Sequence, residues 1–276
     1  MSRIRAAAVA PAAALLVATV AVPFAILAGY AFRSRGAYGG VVPPWTLENW
    51  LRLADPLYLG ILARSFAVAA VSTGVCLVLA FPLAISITRA GRRKNLLLAL
   101  VMLPFWTSLL IRTYAWMFLL RDTGLVNALL MRAGLISEPL PLLYNWGAVV
   151  LGLVYAHLPF MVLPLYAALE RQEADLLESA ADLGARDWQA FWRVTLPLAA
   201  PGIRAGVLLV FIPCLGAYLI PDLLGGGKTI LAGTLIQNQF TAARDWPFGA
   251  ALSLALMAVV LLLLWVEARR REEPLL

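Results

Sequence analysis

The amino-acid sequence predicts an all-α integral membrane protein with six transmembrane helices and both termini in the cytoplasm. Three observations predict this fold class. Of 276 residues, 62% are hydrophobic and only 13% are charged, whereas soluble domains carry about 25% charged residues. Apolar stretches of the length that crosses a bilayer recur along the chain. The clusters of basic residues all lie on one side of these stretches, as the positive-inside rule requires of cytoplasmic segments.

Each predicted span is a stretch of about 20 residues or more with few or no charged side chains. The six stretches are residues 8–32, 65–89, 96–120, 146–169, 203–221 and 248–267. The first one begins like a secretory signal, but residues 6–32 are 27 residues without a charge. A cleavable signal has an apolar region of about 7 to 15 residues. We therefore expect this first stretch to remain as a membrane anchor.

The basic residues predict the orientation of the spans. Thirteen Lys and Arg residues lie on the side of the two termini and eight lie on the opposite side. The clusters, at 92–94 and 269–271, belong to the first side, which is therefore cytoplasmic. The net charge of +7 does not indicate a nucleic-acid-binding protein, because the basic residues form no continuous patch.

A polar segment, residues 170–202, is the only long predicted cytoplasmic connection. It holds nine charged side chains between Glu170 and Arg193, each of which would cost about 2.5 to 3.5 kcal/mol at the centre of a bilayer. Charged and apolar positions alternate with helical spacing, which predicts an amphipathic helix. The charged face holds Arg171, Asp175, Glu178 and Asp182, and the apolar face holds Leu176, Leu177, Ala180 and Ala181. The spacing alone also fits a hairpin that rests on lipid headgroups.

Gly184 is predicted to end this helix, because glycine readily adopts a left-handed backbone. A second short helix is expected to begin near Asp187 and to carry an aromatic knob of Trp188, Phe191 and Trp192. Pro197 and Pro201 are expected to break that helix before the fifth span.

The same segment resembles the "EAA" loop of binding-protein-dependent ABC importer permeases. The pattern of that loop is matched by Glu178, Ser179, Ala180, Gly184, Val194, Leu196 and Pro197, and only Ser179 departs from it. In that family the loop forms a short coupling helix held in a groove of the ATP-hydrolysing subunit. The resemblance implies an ATPase-coupling site made of Glu178, Ser179, Ala180, Asp182, Gly184, Trp188, Phe191, Leu196 and Pro197.

Further segments resemble the permeases of the spermidine/putrescine branch, and the match covers nearly the whole chain. They are residues 111–116, 152–155, 158–161, 222–226 and 244–247. Related branches serve iron, thiamine, sulfate and opines or amino acids. The resemblance implies type I ABC importer topology, with an N-terminal helix and external connector at 1–60, a five-helix transmembrane core at 61–268 and a cytoplasmic tail at 269–276.

The resemblance also implies the partners and the location. They are a second, different permease subunit, two copies of a cytoplasmic ATPase that uses ATP and Mg, and an external or periplasmic solute-binding protein, assembled in the bacterial inner membrane. This chain itself is expected to bind no cofactor and no nucleic acid and to catalyse no reaction.

A path for polyamines should offer carboxylates and aromatic faces, since both attract ammonium groups. Asp222, with Tyr218 nearby, is a candidate at the predicted outer boundary, although a solvated loop residue would need no such role. Arg112 repels polyamines. We expect it to stabilise the structure or a gate through an ion pair with a carboxylate such as Asp122 or Asp222, or else to extend towards the interface. Tyr114 and Trp116 are candidate lining aromatics, but anchoring at the membrane interface explains them and Tyr218 equally well.

Other motifs do not indicate an enzyme. Residues 225–229 lack the spacing of a phosphate-binding loop. His157 has no partner at metal-ligand spacing and is expected to be a buried histidine. Cys76 and Cys214 lie in separate spans and are expected to be buried thiols. A membrane enzyme should show a catalytic constellation, and a channel or secondary transporter has no use for the segment 170–202.

Overall fold

The protein is mostly helical, and its structure is a computed structural model that describes residues 2–172 and 174–272. The helices are α1 (Ser2–Ala31), α2 (Glu48–Leu53), α3 (Pro56–Thr88), α4 (Lys94–Met102), α5 (Leu109–Leu120), α6 (Leu125–Arg132), α7 (Trp146–Leu169), α8 (Ala174–Asp182), α9 (Asp187–Ala190), α10 (Leu196–Gly216), α11 (Leu219–Gly225), α12 (Ala232–Phe240) and α13 (Trp246–Glu272). The strands are β1 (Arg33–Arg35) and β2 (Val41–Trp45). Of the predicted tail, residues 273–276 lie outside the described residues.

Five helical segments of the described chain are long and apolar enough to cross a membrane. They are Ala14–Ala31, Pro56–Thr88, Trp146–Leu169, Asp187–Gly216 and Trp246–Arg269. A sixth span exists only if Gly91–Trp106 and Leu109–Arg132 count together, and these two segments meet at a bend of 90°. The prediction of one helix over 96–120 is therefore wrong. Residues 103–106 tighten into a 3₁₀ turn that contains Pro104, and Thr107 and Ser108 are extended (ψ 150° and 137°).

The predicted span 203–221 is also not one helix. Helix α10 ends at Gly216, and Ala217 is extended (ψ 134°) before α11 begins. Pro221 has no N–H to donate to the carbonyl of Ala217, and its ring clashes with a helical carbonyl at that position. As the third residue of α11, Pro221 needs no helical partner for its nitrogen.

The expectation that Pro197 and Pro201 break the helix before the fifth span is wrong as well. Helical structure runs from Asp187 to Gly216. A π-helical turn, Phe191–Thr195, links α9 to α10, and the Leu196 N–H donates to the Phe191 carbonyl five residues earlier. This wider turn immediately precedes Pro197, the second residue of α10, and the chain stays helical there.

One element departs from the all-α prediction. Strands β1 and β2 pair antiparallel and form a two-stranded hairpin in the connector that follows α1. Gly39 and Gly40, with φ of +92° and +79°, form the turn between them. Both glycines adopt backbone conformations that other residues rarely take.

The chain forms two compact units. The smaller unit comprises residues up to Leu62 and from Leu235 onwards, and the larger unit is Ala63–Thr234. In the smaller unit, α1 packs on α13, and Ile61, Leu235, Phe248 and Leu252 form a buried cluster. The predicted domain boundaries at residues 60 and 268 concern membrane topology and stay predictions.

The larger unit is built on the contact between α7 and α10. Gly202 of α10 makes the close approach possible. A Cβ atom at Gly202 would lie 2.6 Å from the Pro164 carbonyl oxygen and 2.6 Å from the Ala168 Cβ atom, both on α7. Small residues at such contacts let two helix backbones approach closely.

In the smaller unit, we expect Asp245→Ala to lower the thermal unfolding temperature of the protein. The Asp245 side chain is 3% exposed, and its Oδ2 atom lies 2.9 Å from Arg52 Nη1. Its Oδ1 atom accepts the Phe248 N–H at 3.2 Å and caps α13. Loss of both contacts should cost about 2 kcal/mol. Glu48→Ala, at an exposed carboxylate of α2, is the control, and equal unfolding temperatures for the two variants would contradict the prediction.

Candidate functional site

The polar segment 170–202 folds as a helical hairpin, which we call the coupling hairpin, formed by α8, the turn 183–186 and α9. Gly184 has a φ of +82°. Its N–H donates to the Ala181 carbonyl at 2.8 Å, and the Ala185 N–H donates to the Ala180 carbonyl at 3.0 Å. This pair of bonds is the Schellman motif, which ends a helix at a left-handed residue. The predicted helix end at Gly184 is therefore confirmed.

The predicted difference between the two faces of α8 is seen only in part, because Leu176 and Ala181 of the apolar face are exposed and Arg171 of the charged face precedes the helix. Asp175, Glu178, Ser179 and Asp182 are exposed. On the other face, Leu177 and Ala181 line a cavity of about 500 Å³, while Ala180 is half-buried. A second cavity, of about 570 Å³, is lined by Leu176. Part of the apolar face of α8 thus borders open space.

The predicted aromatic knob is divided between the inside and the outside of the unit. Phe191 is half-buried and packs edge-on against Phe81 of α3, with ring centroids 5.4 Å apart. Trp188 and Trp192 are each 61% exposed. Of the remaining predicted coupling residues, Leu196 is half-buried and Pro197 is exposed.

Leu183 is a further surface residue of the coupling hairpin, and sequence reasoning missed it. It is 89% exposed and lies in the turn beside Gly184. An apolar residue next to a turn glycine, between two short amphipathic helices, was the signal available in the sequence. No core within the described part of the chain covers it, so Leu183 is suited to contact a partner.

The coupling hairpin is tied to the membrane helices at both ends. At its start, Lys94 Nζ lies 2.5 Å from Glu170 Oε1, and Gln172 Nε2 donates to the Thr195 carbonyl at 3.1 Å. At its end, the helix from Asp187 to Gly216 continues without a break into an apolar span. Helix α9 of the coupling hairpin and α10 therefore belong to one continuous helical segment.

Arg112 lies in a second candidate site, in the apolar part of the larger unit. Its Cζ atom lies 5.2 Å from the centroid of the Phe105 ring and 5.9 Å from that of Tyr155. The Nε and Nη1 atoms are buried and have no hydrogen-bond partner in the described chain.

The predicted ion pair of Arg112 with Asp122 or Asp222 is wrong, since no described carboxylate lies within 4.0 Å of its guanidinium. Arg112 is in the first turn of α5, beside the bend at residues 107–108. From there it reaches back to Phe105. Asp122 lies beyond the other end of α5, roughly 15 Å away along the helix axis.

Neighbouring rings hold the two aromatic side chains that face Arg112. Trp116 packs edge-on with Tyr155 at 5.5 Å, and Phe160 packs edge-on with Phe105 at 5.0 Å. We call Phe105 and Tyr155 the aromatic pair. Sequence reasoning assigned neither residue to the site. Pro104 within an apparent span was the available signal that the chain turns here.

The other predicted path residues lie apart from the aromatic pair. Tyr114 is 43% exposed on α5. Tyr218 is 48% exposed at the break before α11, and Asp222 is exposed in α11. Helix α11 contacts both α5 and α7. The structure thus places these residues on neighbouring helices but brings only Arg112 and Trp116 together, through Tyr155.

The two cysteine side chains are buried, whereas His157, which was predicted to be buried, is half-buried. Cys76 and Cys214 are buried free thiols, as expected. The His157 Nδ1 atom lies 2.9 Å from the Leu153 carbonyl oxygen. Within residues 2–172 and 174–272, no three His, Cys, Asp or Glu side chains converge on a point that could hold a metal ion.

Comparison with known proteins identifies the family. The family model described as "Binding-protein-dependent transport system inner membrane component" matches residues 57–269. The chain belongs to this permease family. The permease is 42% identical over 258 residues to the spermidine/putrescine transport system permease protein PotB of Escherichia coli K12, covering 92% of this chain and 94% of PotB. It is 36% identical over 246 residues to the inner membrane ABC transporter permease protein YdcU of the same organism, covering 84% of this chain and 77% of YdcU.

The permease also shares its fold with a solved transporter. It aligns with a chain of a bacterial ABC transporter involved in the import of the acidic polysaccharide alginate, with a TM-score of 0.70, 20% identity, and coverage of 98% of this chain and 96% of that chain. A second structure of a bacterial alginate ABC transporter, in complex with an alginate pentasaccharide-bound periplasmic protein, gives a TM-score of 0.72, 19% identity, and coverage of 94% and 90%. The family model and the identity to PotB confirm the predicted class of inner-membrane permease, and the two alginate transporter structures show the same fold.

Proposed function

We propose that this permease is a polyamine-conducting subunit of an ATP-driven importer, with spermidine or putrescine as its solute. The observation that carries the choice of solute is the 42% identity to PotB over 92% of the chain. In this proposal the bent pair of segments, Gly91–Trp106 and Leu109–Arg132, counts as one of six spans, and both termini and the coupling hairpin face the cytoplasm.

The proposed assembly contains a second, different permease subunit, two copies of a cytoplasmic ATPase and an external solute-binding protein. ATP and Mg are bound by the ATPase copies. The complex of the alginate transporter with a periplasmic protein supports a binding-protein partner for this fold. The exposed Leu183, Trp188 and Glu178 offer one ATPase a surface with both apolar and acidic groups.

In the proposed mechanism, ATP binding closes the two ATPases and moves the coupling hairpin. Because helical structure runs from Asp187 to Gly216, α10 moves with the hairpin. Helix α10 packs on α7, so the movement reaches the helix that carries Tyr155. Rigid-body movement of this kind can turn a cavity from one face of the membrane to the other.

Uptake by the whole transporter tests the proposed solute. The permease, its ATPase, the second permease and the binding protein encoded with it would be reconstituted in liposomes with internal ATP. We expect ATP-dependent accumulation of radiolabelled spermidine or putrescine. ATP-dependent uptake of another solute, with no polyamine uptake, would refute the polyamine assignment.

Glu178→Ala is expected to lower uptake at least tenfold and to leave the amount of permease in the membrane unchanged. The side chain is exposed on α8, so its loss removes a charged contact for the ATPase without opening a core. Solute-stimulated ATP hydrolysis and co-purification of the ATPase are the measurements. Glu138→Ala, at an exposed carboxylate outside the coupling hairpin, is the control and should keep both the stimulated ATP hydrolysis and the co-purification. Wild-type hydrolysis in Glu178→Ala would contradict the coupling role.

A further inference from the structure

The aromatic pair around Arg112 has the features of a binding site for an organic cation. Both rings lie within about 6 Å of one positive charge, the distance range of cation–π attraction. The neighbouring rings, Trp116 and Phe160, pack edge-on against them. The ring orientations are therefore set by packing, and the π faces are preorganised for a cation.

The guanidinium of Arg112 lacks part of its hydrogen bonding in this position. Two of its nitrogen atoms are buried without a hydrogen-bond partner in the described chain, and no described carboxylate is close enough to pair with it. The side chain as a whole is half-buried, and a cation within a membrane-spanning segment is normally paired or lines water. Cation–π contacts alone offset little of the cost of removing a guanidinium from water. The contact between Arg112 and the aromatic pair is therefore easily exchanged for contact with water or with another group.

The side chain of arginine resembles one end of a polyamine. It consists of three methylene groups that end in a delocalised cation, whereas spermidine carries an aminopropyl arm, which is three methylene groups that end in an ammonium. A pair of rings that binds the arginine side chain also suits the aminopropyl arm of spermidine, because both groups combine a positive charge with an apolar stem.

We propose that Phe105 and Tyr155 bind an ammonium group of the transported polyamine, and that Arg112 occupies this site as an internal competitor when no solute is present. The inference rests on the proposed polyamine function. The solute displaces the guanidinium as it passes, and the guanidinium returns afterwards. By filling the site between transport cycles, Arg112 also opposes the entry of small inorganic cations.

Direct binding of radiolabelled spermidine to the purified transporter, without the solute-binding protein, tests this site. Arg112→Gln removes the competing charge and should bind spermidine about two- to thirtyfold more tightly than the wild type, the range expected for one cation–π site. Arg112→Met, which keeps an apolar stem, should do the same, so the test does not depend on a single variant. Arg112→Lys keeps the charge and should bind like the wild type.

The aromatic pair is tested in the Arg112→Gln background. Adding Tyr155→Leu or Phe105→Leu, which keep apolar bulk and remove a π face, should abolish the gain, whereas Tyr155→Phe should preserve it. Phe66→Leu is the matched control, because Phe66 packs against Phe211 at 6.0 Å and belongs to neither the aromatic pair nor its two supporting rings. It should leave the gain intact. Thermal unfolding of each complex identifies variants that do not fold.

Two results would overturn the inference. One is equal or weaker binding by Arg112→Gln and Arg112→Met than by the wild type. The other is that Arg112→Gln still binds spermidine as much more tightly than the wild type after Tyr155→Leu and Phe105→Leu are added. If wild-type liposomes import polyamine and either result is found, the site is wrong and the proposed function stands. If wild-type liposomes import no polyamine, the proposed function fails and this inference fails with it.

Discussion

Gly184→Val is expected to abolish solute uptake while the permease remains in the membrane. The Gly184 φ of +82° ends α8 and turns the chain towards α9. A β-branched residue adopts this conformation only at a cost of about 1 to 3 kcal/mol. Apart from Gly184 and its chain neighbours, no described atom lies within 4 Å of a Cβ placed at Gly184, so the effect comes from the backbone and not from a collision. We expect the Schellman bonds to open and the coupling hairpin to lose its shape.

The matched variant is Gly184→Asn, since asparagine tolerates the left-handed conformation better than other non-glycine residues. It should keep most of the uptake. ATP-dependent uptake in liposomes and the amount of each variant in the membrane are the measurements. Normal uptake by Gly184→Val would mean that coupling does not need this turn.

Gly202→Ala is expected to have the second large effect, on folding rather than on coupling. The single added methyl group would lie 2.6 Å from the Pro164 carbonyl oxygen and from the Ala168 Cβ atom. Neither atom is the flexible end of a side chain, so α7 and α10 must move apart. Overpacking of this kind typically costs about 1 to 3 kcal/mol, and we expect less folded permease and a lower unfolding temperature.

Gly74→Ala is the control for this substitution. Gly74 also lies inside an apolar helix, α3, but a Cβ there would meet no atom within 4 Å. Because alanine favours helices more than glycine does, this variant should be as stable as the wild type or more stable. Equal yields and unfolding temperatures for the two alanine variants would contradict the close contact between α7 and α10.

Much of the fold and of the coupling hairpin could be predicted because the signals are local. The apolar stretch at 146–169 is confirmed as α7 with the predicted bounds, since a long uncharged run has few alternatives to a helix. The amphipathic helix α8 and its end at Gly184 are confirmed for the same reason. Helical spacing and a glycine after the last turn specify them within a dozen residues.

The proline effects were predicted less well. Pro197 and Pro201 do not end a helix, because a π-helical turn precedes the first and lets the chain remain helical. Pro221 lies four residues after the break at Ala217. Whether a helix bends, widens or breaks near a proline depends on the neighbours that satisfy its backbone groups, and a residue pattern contains no information about them.

The sequence by itself determined that this protein is a helical membrane permease and that the amphipathic helix α8 ends at Gly184, because hydrophobic length, helical spacing and a turn glycine act over short distances. Only the tertiary structure decided what surrounds Arg112. The carboxylates predicted as its partners are too far away, and the bend at residues 107–108 places Phe105 beside it while α7 supplies Tyr155. Contacts between residues 43 positions apart along the chain, as for Arg112 and Tyr155, arise from helix packing and leave no periodic trace in the sequence.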